Sequence, residues 1–225
     1  MAKTKDLFGK ALLDHYHGSD KIFYFIDQNG YKAEHSLKRY FRDYIELTDL
    51  EKEMILLSRG NILDVGCGPG VYIPYLAKHG TVLGIDSSSY AIDIALKKGL
   101  KNCKVANIFT FTSEQKFDTI LLAENNLGLA QSLSEAKKLL QKLSSLLTDD
   151  GQILTDCWVI PGHDYYVAEL TPSYGDEIGD PILWITFSDE KFLSKFCADI
   201  GLEMVVIDTN ENSYLAKITK KVQKS

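Results

Sequence analysis

The chain has few of the residues that would tie it to a metal, a membrane or a nucleic acid. Its four cysteines, Cys67, Cys103, Cys157 and Cys197, lie far apart and form no C-x-x-C pair. That spacing argues against a zinc site or a disulfide frame and points to reduced thiols in a cytoplasmic protein. His15 and His17 are two apart and diverge on a helix. They do not make the i, i+4 pair of a helical metal site, and no metal is expected. No apolar run approaches the ~20 residues that cross a bilayer, so no membrane partner is expected. Residues Met1–Phe8 carry an acid and lack the apolar core of a signal peptide. Basic charge is also short: 25 Lys and Arg face 31 Asp and Glu, a net charge of −6. Long nucleic acid rewards basic patches, so the expected partner is a small molecule or a protein. There is no repeat or low-complexity stretch, and 225 residues give room for one α/β domain with an appendage. The oligomeric state is left open, a homodimer included.

What is present is the run Ile62-Leu63-Asp64-Val65-Gly66-Cys67-Gly68-Pro69-Gly70. It reads as a buried strand that breaks into a glycine loop and opens a helix. A second strand, Val82-Leu83-Gly84-Ile85, ends in Asp86. Strand, glycine turn, helix, strand and acid are the parts of a nucleotide pocket in a doubly wound α/β sheet. Glycines let the loop take left-handed dihedrals and let a ligand lie on its backbone. A dinucleotide fingerprint needs a third small residue where Val71 stands, and a phosphate-cradling P-loop needs a lysine that is missing.

The string resembles motif I of class I S-adenosylmethionine (SAM)-dependent methyltransferases, a hydrophobic strand followed by D/E-x-G-x-G-x-G. Asp86 matches the acid with which that family binds the ribose. The segments Asp6-x-Phe8-Gly9-x-Ala11-Leu12-Leu13, Tyr40-Phe41-Arg42-Asp43-Tyr44 and Asn125-Asn126-x-Gly128 resemble a bacterial and archaeal group of methyltransferase-domain proteins, most of them functionally unassigned. The resemblance implies SAM as cofactor and S-adenosylhomocysteine as product. It also implies a Rossmann-like sheet of seven strands, the last antiparallel, in the order 3-2-1-4-5-7-6.

Periodicity sets the elements around that motif. A helix is expected over 7–17, then a hairpin turning at Gln28-Asn29-Gly30, then a helix to about Ser58 opened by the capping box Thr48-x-x-Glu51. Strands over 62–65, 81–85, 103–106 and 117–123 alternate with helices over 70–79, 88–98 and 132–147. Asp149-Asp150-Gly151 is expected to turn into a strand over 152–157. A helix from Asp189 to Ile200, capped by Ser188, should precede strands at 202–207 and 213–219. Residues 158–188, crowded with aromatics, Pro and Gly, break the rhythm and read as an otherwise unpatterned insertion on the acceptor side, functional or partly ordered by its own strands, with local aromatic packing or a dimer contact as the alternative. Residues 1–60 read as an N-terminal lid and 61–225 as the SAM-binding domain.

Site roles follow from the resemblance. Asp64, directly or through water, and the backbone of Gly66, Cys67, Gly68 and Gly70 would hold the methionine end of SAM. Asp86, with Ser87 beside it, would take the ribose hydroxyls. Asn107 stands nearest the family's adenine-binding acid, and Ile108 or Phe109 would pack on the purine. Arg42, with Tyr40 beside it, would bind the SAM carboxylate or else serve as a surface ion-pair partner. Glu124 is a general base, an acceptor ligand or a further part of the cofactor site. Among the histidines only His163, in the aromatic segment, stands as an acid or base. The N/D-P-P-Y/F and Pro-Cys motifs of nucleic-acid methyltransferases are missing, which favours a small acceptor. An intact cofactor motif signals binding and not turnover, so a non-catalytic SAM-binding regulatory protein stands beside the enzyme. A polyamine-synthase-like transfer and an NAD-dependent oxidoreductase follow as lesser alternatives.

Overall fold

In the computed structural model, residues 6–221 are described. Residues 1–5, and with them most of the Met1–Phe8 segment, lie outside the described residues. Asp6 caps helix α1 (Leu7–Tyr16), its Oδ1 accepting the Gly9 N–H at 2.8 Å. Strands β1 (Phe23–Asp27) and β2 (Lys32–Glu34) form the expected hairpin. Two 3-10 turns, Leu37–Phe41 and Tyr44–Glu46, lead to α2 (Asp49–Leu57), opened by the capping box of Thr48 and Glu51. Then come β3 (Gly60–Val65), α3 (Ile73–Leu76), β4 (Gly80–Asp86), α4 (Ser89–Lys97), β5 (Cys103–Val105) and β6 (Phe117–Leu122). After a 3-10 turn at Asn126–Ala130 the chain continues through α5 (Leu133–Leu146), β7 (Leu147–Trp158), β8 (Tyr165–Tyr174), β9 (Glu177–Ile178) and β10 (Ile182–Phe187). It ends in α6 (Glu190–Ala198), β11 (Leu202–Thr209) and β12 (Ser213–Lys220).

The main sheet runs β5-β4-β3-β6-β7-β12-β11. Its first five strands are parallel, and β12 is antiparallel to both neighbours. In sequence order this is 3-2-1-4-5-7-6, as the resemblance implies. Strands β3 and β6 are covered on both faces, which is why they read as continuous apolar runs. Ile120, Leu122 and Ile153 pack under the Ala136, Leu140 and Leu143 stripe of α5. Ile62, Leu121 and Leu154 pack on the opposite side with Met54 and Ile55 of α2.

The insertion is not unpatterned. Strand β8 pairs with β10 on one side and with β1 of the N-terminal hairpin on the other, in a second antiparallel sheet, β10-β8-β1-β2, with β9 on β8. Phe23 lies opposite Tyr174 and Asp27 opposite Leu170, so the two segments that the sequence separates make one sheet. The strand signal was diluted because much of β8 is only half-buried and Pro172 interrupts it, and proline demotes a run.

Three smaller expectations are corrected. The helix over 70–79 shrinks to Ile73–Leu76, because Gly70 is left-handed at φ 80° and cannot start it. Asp189, not Ser188, caps α6, and the Ser188 hydroxyl bonds Ile160 instead. Residues 149–151 belong to β7 as a bulge: Phe117 pairs with Leu147, but Thr119 pairs with Gln152.

Gly60 and Gly80 face each other where β3 and β4 begin, and a Cβ on Gly80 would lie 1.9 Å from the Gly60 carbonyl oxygen. Gly80→Ala is therefore expected to cost about 1–3 kcal/mol, read as a lower urea midpoint at unchanged slope.

Candidate functional site

The carboxyl edge of a parallel sheet is where its strands present loops to a ligand. Here β3 and β4 deliver the glycine loop and two carboxylates to that edge. Gly66, Gly68 and Gly70 all have positive φ, at 73°, 53° and 80°. They are not equivalent in their surroundings. A Cβ on Gly66 would meet Asn126 Nδ2 at 2.5 Å, and one on Gly70 would meet Leu100 at 2.4 Å. A Cβ on Gly68 would meet only the Tyr40 ring, at 4.0 Å, so the loop is open there.

Asp86 braces this loop. Its Oδ2 accepts the Gly68 N–H at 2.9 Å and its Oδ1 the Ser88 N–H at 2.7 Å. Burial raises its pKa, against those backbone donors, with Asp6 adding a like charge. Asp64 is 1% exposed, and its Oδ2 has no hydrogen-bond partner among the described residues. Burial, with the nearby Asp86 charge, pushes its pKa up to about 7. A buried, unpartnered carboxylate oxygen is costly, and a cationic ligand would remove the cost.

The segment after β6 is the second component. Glu124 and Asn125 are both left-handed, at φ 60° and 56°, which non-glycine residues rarely adopt. Each side chain of Glu124-Asn125-Asn126-x-Gly128 has its own task. Asn125, fully buried, donates its N–H to both oxygens of Asp156 at 3.2 Å and its Nδ2 to Thr186 Oγ1 at 2.9 Å. Asn126 Nδ2 donates to the Val65 and Gly66 carbonyls at 3.1 and 3.4 Å, bracing the glycine loop from behind. Gly128 makes room for the Trp184 indole of β10.

Glu124 joins a charged network with the strap Leu37–Arg42. Arg39 and Arg42 both pair with its carboxylate, Arg42 at 2.8 Å. Arg42 also grips Glu51 in a two-point contact, at 3.1 and 2.6 Å, and the Tyr72 hydroxyl donates to Glu51. Burial would raise the Glu51 pKa, but Arg42, Tyr72 and the Thr48 N–H together hold it low. For Glu124 burial prevails over the two guanidiniums and its pKa rises. Asp156, 8% exposed, is pushed up to about 7 by burial and by Glu124.

The remaining sequence candidates fall as follows. Arg42 is neither exposed nor free; it spans Glu51 and Glu124. The Tyr40 hydroxyl bonds His35 Nε2 at 2.8 Å. Burial, and Arg39 beside it, lower the pKa of His35 to about 4, so its ring is neutral. Cys67 is buried inside the loop, and Ser87 is exposed next to Ser88, the N-cap of α4. Asn107 Oδ1 accepts the Phe109 N–H at 2.9 Å. Ile108 belongs to the core, whereas Phe109 is left exposed. His163 is exposed, with Nδ1 at 3.1 Å from the Pro161 carbonyl and its ring edge-on to Tyr166. No described contact joins it to Glu124. Arg39, Glu51, Tyr72 and Asp156 were not singled out. Glu51 was masked by its capping box, which it does form, and Asp156 carried one signal: an acid inside an apolar strand.

A family model for a methyltransferase domain matches residues 56–179, more than half of the chain. The fold superposes with a TM-score of 0.87 on a SAM-dependent methyltransferase from Bacteroides fragilis, solved with S-adenosyl-L-homocysteine. That match has 27% identity and covers 97% of this chain and 96% of the other. A SAM-dependent methyltransferase from Clostridium acetobutylicum shares the fold at a TM-score of 0.59 and 17% identity, over 83% of this chain and 95% of that one. The ubiquinone biosynthesis O-methyltransferase of Coxiella burnetii is 28% identical over 109 residues, 45% of either chain. This chain thus spans less than half the length of that curated relative. With the glycine motif inside the region matched and nearly the whole fold superposed on a solved relative, the chain belongs to the methyltransferase-domain family, in its class I, SAM-dependent form.

Proposed function

We propose that this protein transfers a methyl group from SAM to a small-molecule acceptor. Asp64 carries the reading. Its unpartnered, buried oxygen beside a loop open at Gly68 suits an ammonium group whose neighbouring carbons lie on the glycine backbone. SAM has such a group at its methionine end, and it supplies a methyl already activated on a sulfonium. What the chain must add is position, since holding reactants within near-attack distance is worth several kcal/mol, on the order of 7–11 in the best cases.

The residues divide that task. Gly66–Gly70 and Asp64 hold the methionine end, and Asp86 takes the ribose hydroxyls on the lone pairs its backbone donors leave free. Tyr40 covers the loop above Gly68. We assign Glu124 first to anchoring the strap that carries Tyr40, because Arg39 and Arg42 already occupy its two carboxylate oxygens. Its earlier candidacy as general base becomes the second role to test. His163, exposed and outside the charged network, receives no assignment in proton transfer. The bulk acidity and the missing nucleic-acid motifs support a small acceptor, and the cap formed by β1, β2 and β8–β10 is the element we assign to enclosing it.

The first test is calorimetric titration of the full chain with SAM, S-adenosylhomocysteine and NAD. Binding of the two adenosyl ligands with NAD silent is expected; binding of NAD alone would overturn the reading. Transfer of labelled methyl in an acceptor screen then separates an enzyme from a regulatory SAM-binding protein. Asp64 also predicts a pH dependence. Without a cationic partner it holds its proton up to about pH 7, and a bound ammonium favours the carboxylate. Binding near pH 7 should release a proton, seen as a dependence of the heat on buffer ionisation, and affinity should rise from pH 6 to 8. Asp64→Asn should remove that release and weaken SAM at least tenfold. The same substitution should raise the melting temperature of the ligand-free protein at pH 8. A carboxyl whose folded pKa lies above its ordinary 3.8 costs stability as pH climbs between the two values. Glu124→Gln should speed SAM release several-fold; unchanged release with slower turnover would return Glu124 to the role of base.

A further inference from the structure

Two of the four cysteines meet under the cofactor loop. Cys67 stands between Gly66 and Gly68, and Cys103 opens β5 at the sheet edge; both are 5% exposed. What brings them together is Gly84 of β4, the ladder partner of Cys103. A Cβ on Gly84 would lie 2.9 Å from Cys67 Sγ and 3.0 Å from Cys103 Sγ, so both sulfurs occupy the gap that its missing side chain leaves. The two thiols interact electrostatically across that gap. Cys67 Sγ also lies 3.7 Å from the Gly68 carbonyl. Asp64 and Asp86 face Cys67, while Asp64 and Lys98 face Cys103. Lys98 is itself tied to the loop, donating to the Pro69 carbonyl at 3.1 Å.

We propose that Cys67 and Cys103 are an oxidisable thiol pair, a modification site for hydroperoxides, whose disulfide disables the cofactor loop. The last clause rests on the SAM-binding reading of that loop. The electrostatics divide the roles. Lys98 faces Cys103 and favours a thiolate there, whereas Asp64 and Asp86 both face Cys67 and disfavour one, which makes Cys103 the attacking sulfur. Its thiolate attacks one peroxide oxygen and the O–O bond breaks. Cys103 becomes a sulfenic acid and hydroxide leaves. Cys67 sulfur then attacks the sulfenic sulfur, the S–O bond breaks, and the departing oxygen leaves as water with the Cys67 proton. In sum two thiols lose two electrons and two protons, and one hydrogen peroxide becomes two waters.

The loop has little freedom to absorb this bond. The Gly66 and Cys67 N–H groups both donate to the Ile85 carbonyl, at 2.8 and 3.0 Å, and the Gly70 N–H donates to the Cys67 carbonyl at 2.9 Å. A disulfide needs its sulfurs about 2.05 Å apart with a torsion near 90°. Drawing Cys67 into that geometry turns the residue that precedes Gly68, whose N–H is held on Asp86. The open stretch of the loop is then re-aimed while the sheet beneath stays put. Cys157 and Cys197, fully buried in the other core cluster, serve as internal controls.

The experiment treats the full chain with hydrogen peroxide, quenches with catalase, and maps the products by peptide mass. SAM titration follows, before oxidation, after it, and after dithiothreitol. The expected result is a peptide pair joining residues 67 and 103 and two hydrogens lighter, a fall in SAM affinity of at least tenfold, and recovery on reduction. Cys103→Ser should bind SAM like the reduced protein and keep that affinity through peroxide. Oxidation that leaves both thiols unjoined, or a mapped 67–103 disulfide with unchanged affinity, would overturn the proposal. If the reduced protein fails to bind SAM, the cofactor reading falls and, with it, the coupling; the mass map then decides the thiol pair alone.

Discussion

At the carboxyl edge of the main sheet Asp64, Asp86 and Asp156 all leave water, and most of the surrounding architecture is organised by how each is compensated. Asp86 receives two backbone N–H groups, from Gly68 and Ser88. Asp156 receives one, from a residue held left-handed to deliver it. Asp64 keeps an oxygen with no donor among the described residues. Burying charge is expensive unless it is paired and bonded, and this gradient of satisfaction is what the proposed cofactor site rests on. The least satisfied carboxylate lies beside the most open stretch of the loop.

The next layer outward spends stability on geometry. Two consecutive left-handed residues, Glu124 and Asn125, cost on the order of 1–3 kcal/mol each and persist only when neighbours over-determine them. Asp156, Thr186, Arg39 and Arg42 do so from three directions. A buried ion-pair network adds little net stability but tolerates few alternative arrangements. Its effect here is to fix the strap Leu37–Arg42, and so the Tyr40 ring, against the glycine loop. His35, neutral in its aromatic nest of Phe8, Phe23 and Phe25, secures that ring through its hydroxyl.

Legibility in the sequence followed the range of the forces involved. The strands and helices of the main sheet could be read because β3 and β6 are buried on both faces and α5 carries an apolar stripe, both local patterns, whereas their seven-strand order came from the resemblance. The glycine loop and Asp86 were legible because their chemistry is local too. The second sheet was not, since its pairing joins residues 23–27 to 170–174 and neither half carries clean alternation. Arg42 shows the same limit in the site. Its type suggested a carboxylate partner, but Glu51 and Glu124 became that partner only through folding. Asn125 and Asn126 could be recognised as a pair, yet their division of work, one to β7 and β10 and the other to the glycine loop, is a property of three dimensions.

The cap sheet also sets an order of events. Its first two strands leave the ribosome early, but the strand between them and β10 is some 140 residues further along the chain. Closing so long a loop is slow, and nothing rewards it until the distant segment arrives. Domains assemble as they are synthesised, so the main sheet can gather its parallel strands first. Phe23, among the most deeply buried side chains of the protein, must meanwhile wait without its Tyr174 partner. The N-terminal hairpin is thus made first and housed last, and the second sheet is finished only when the main sheet is nearly complete.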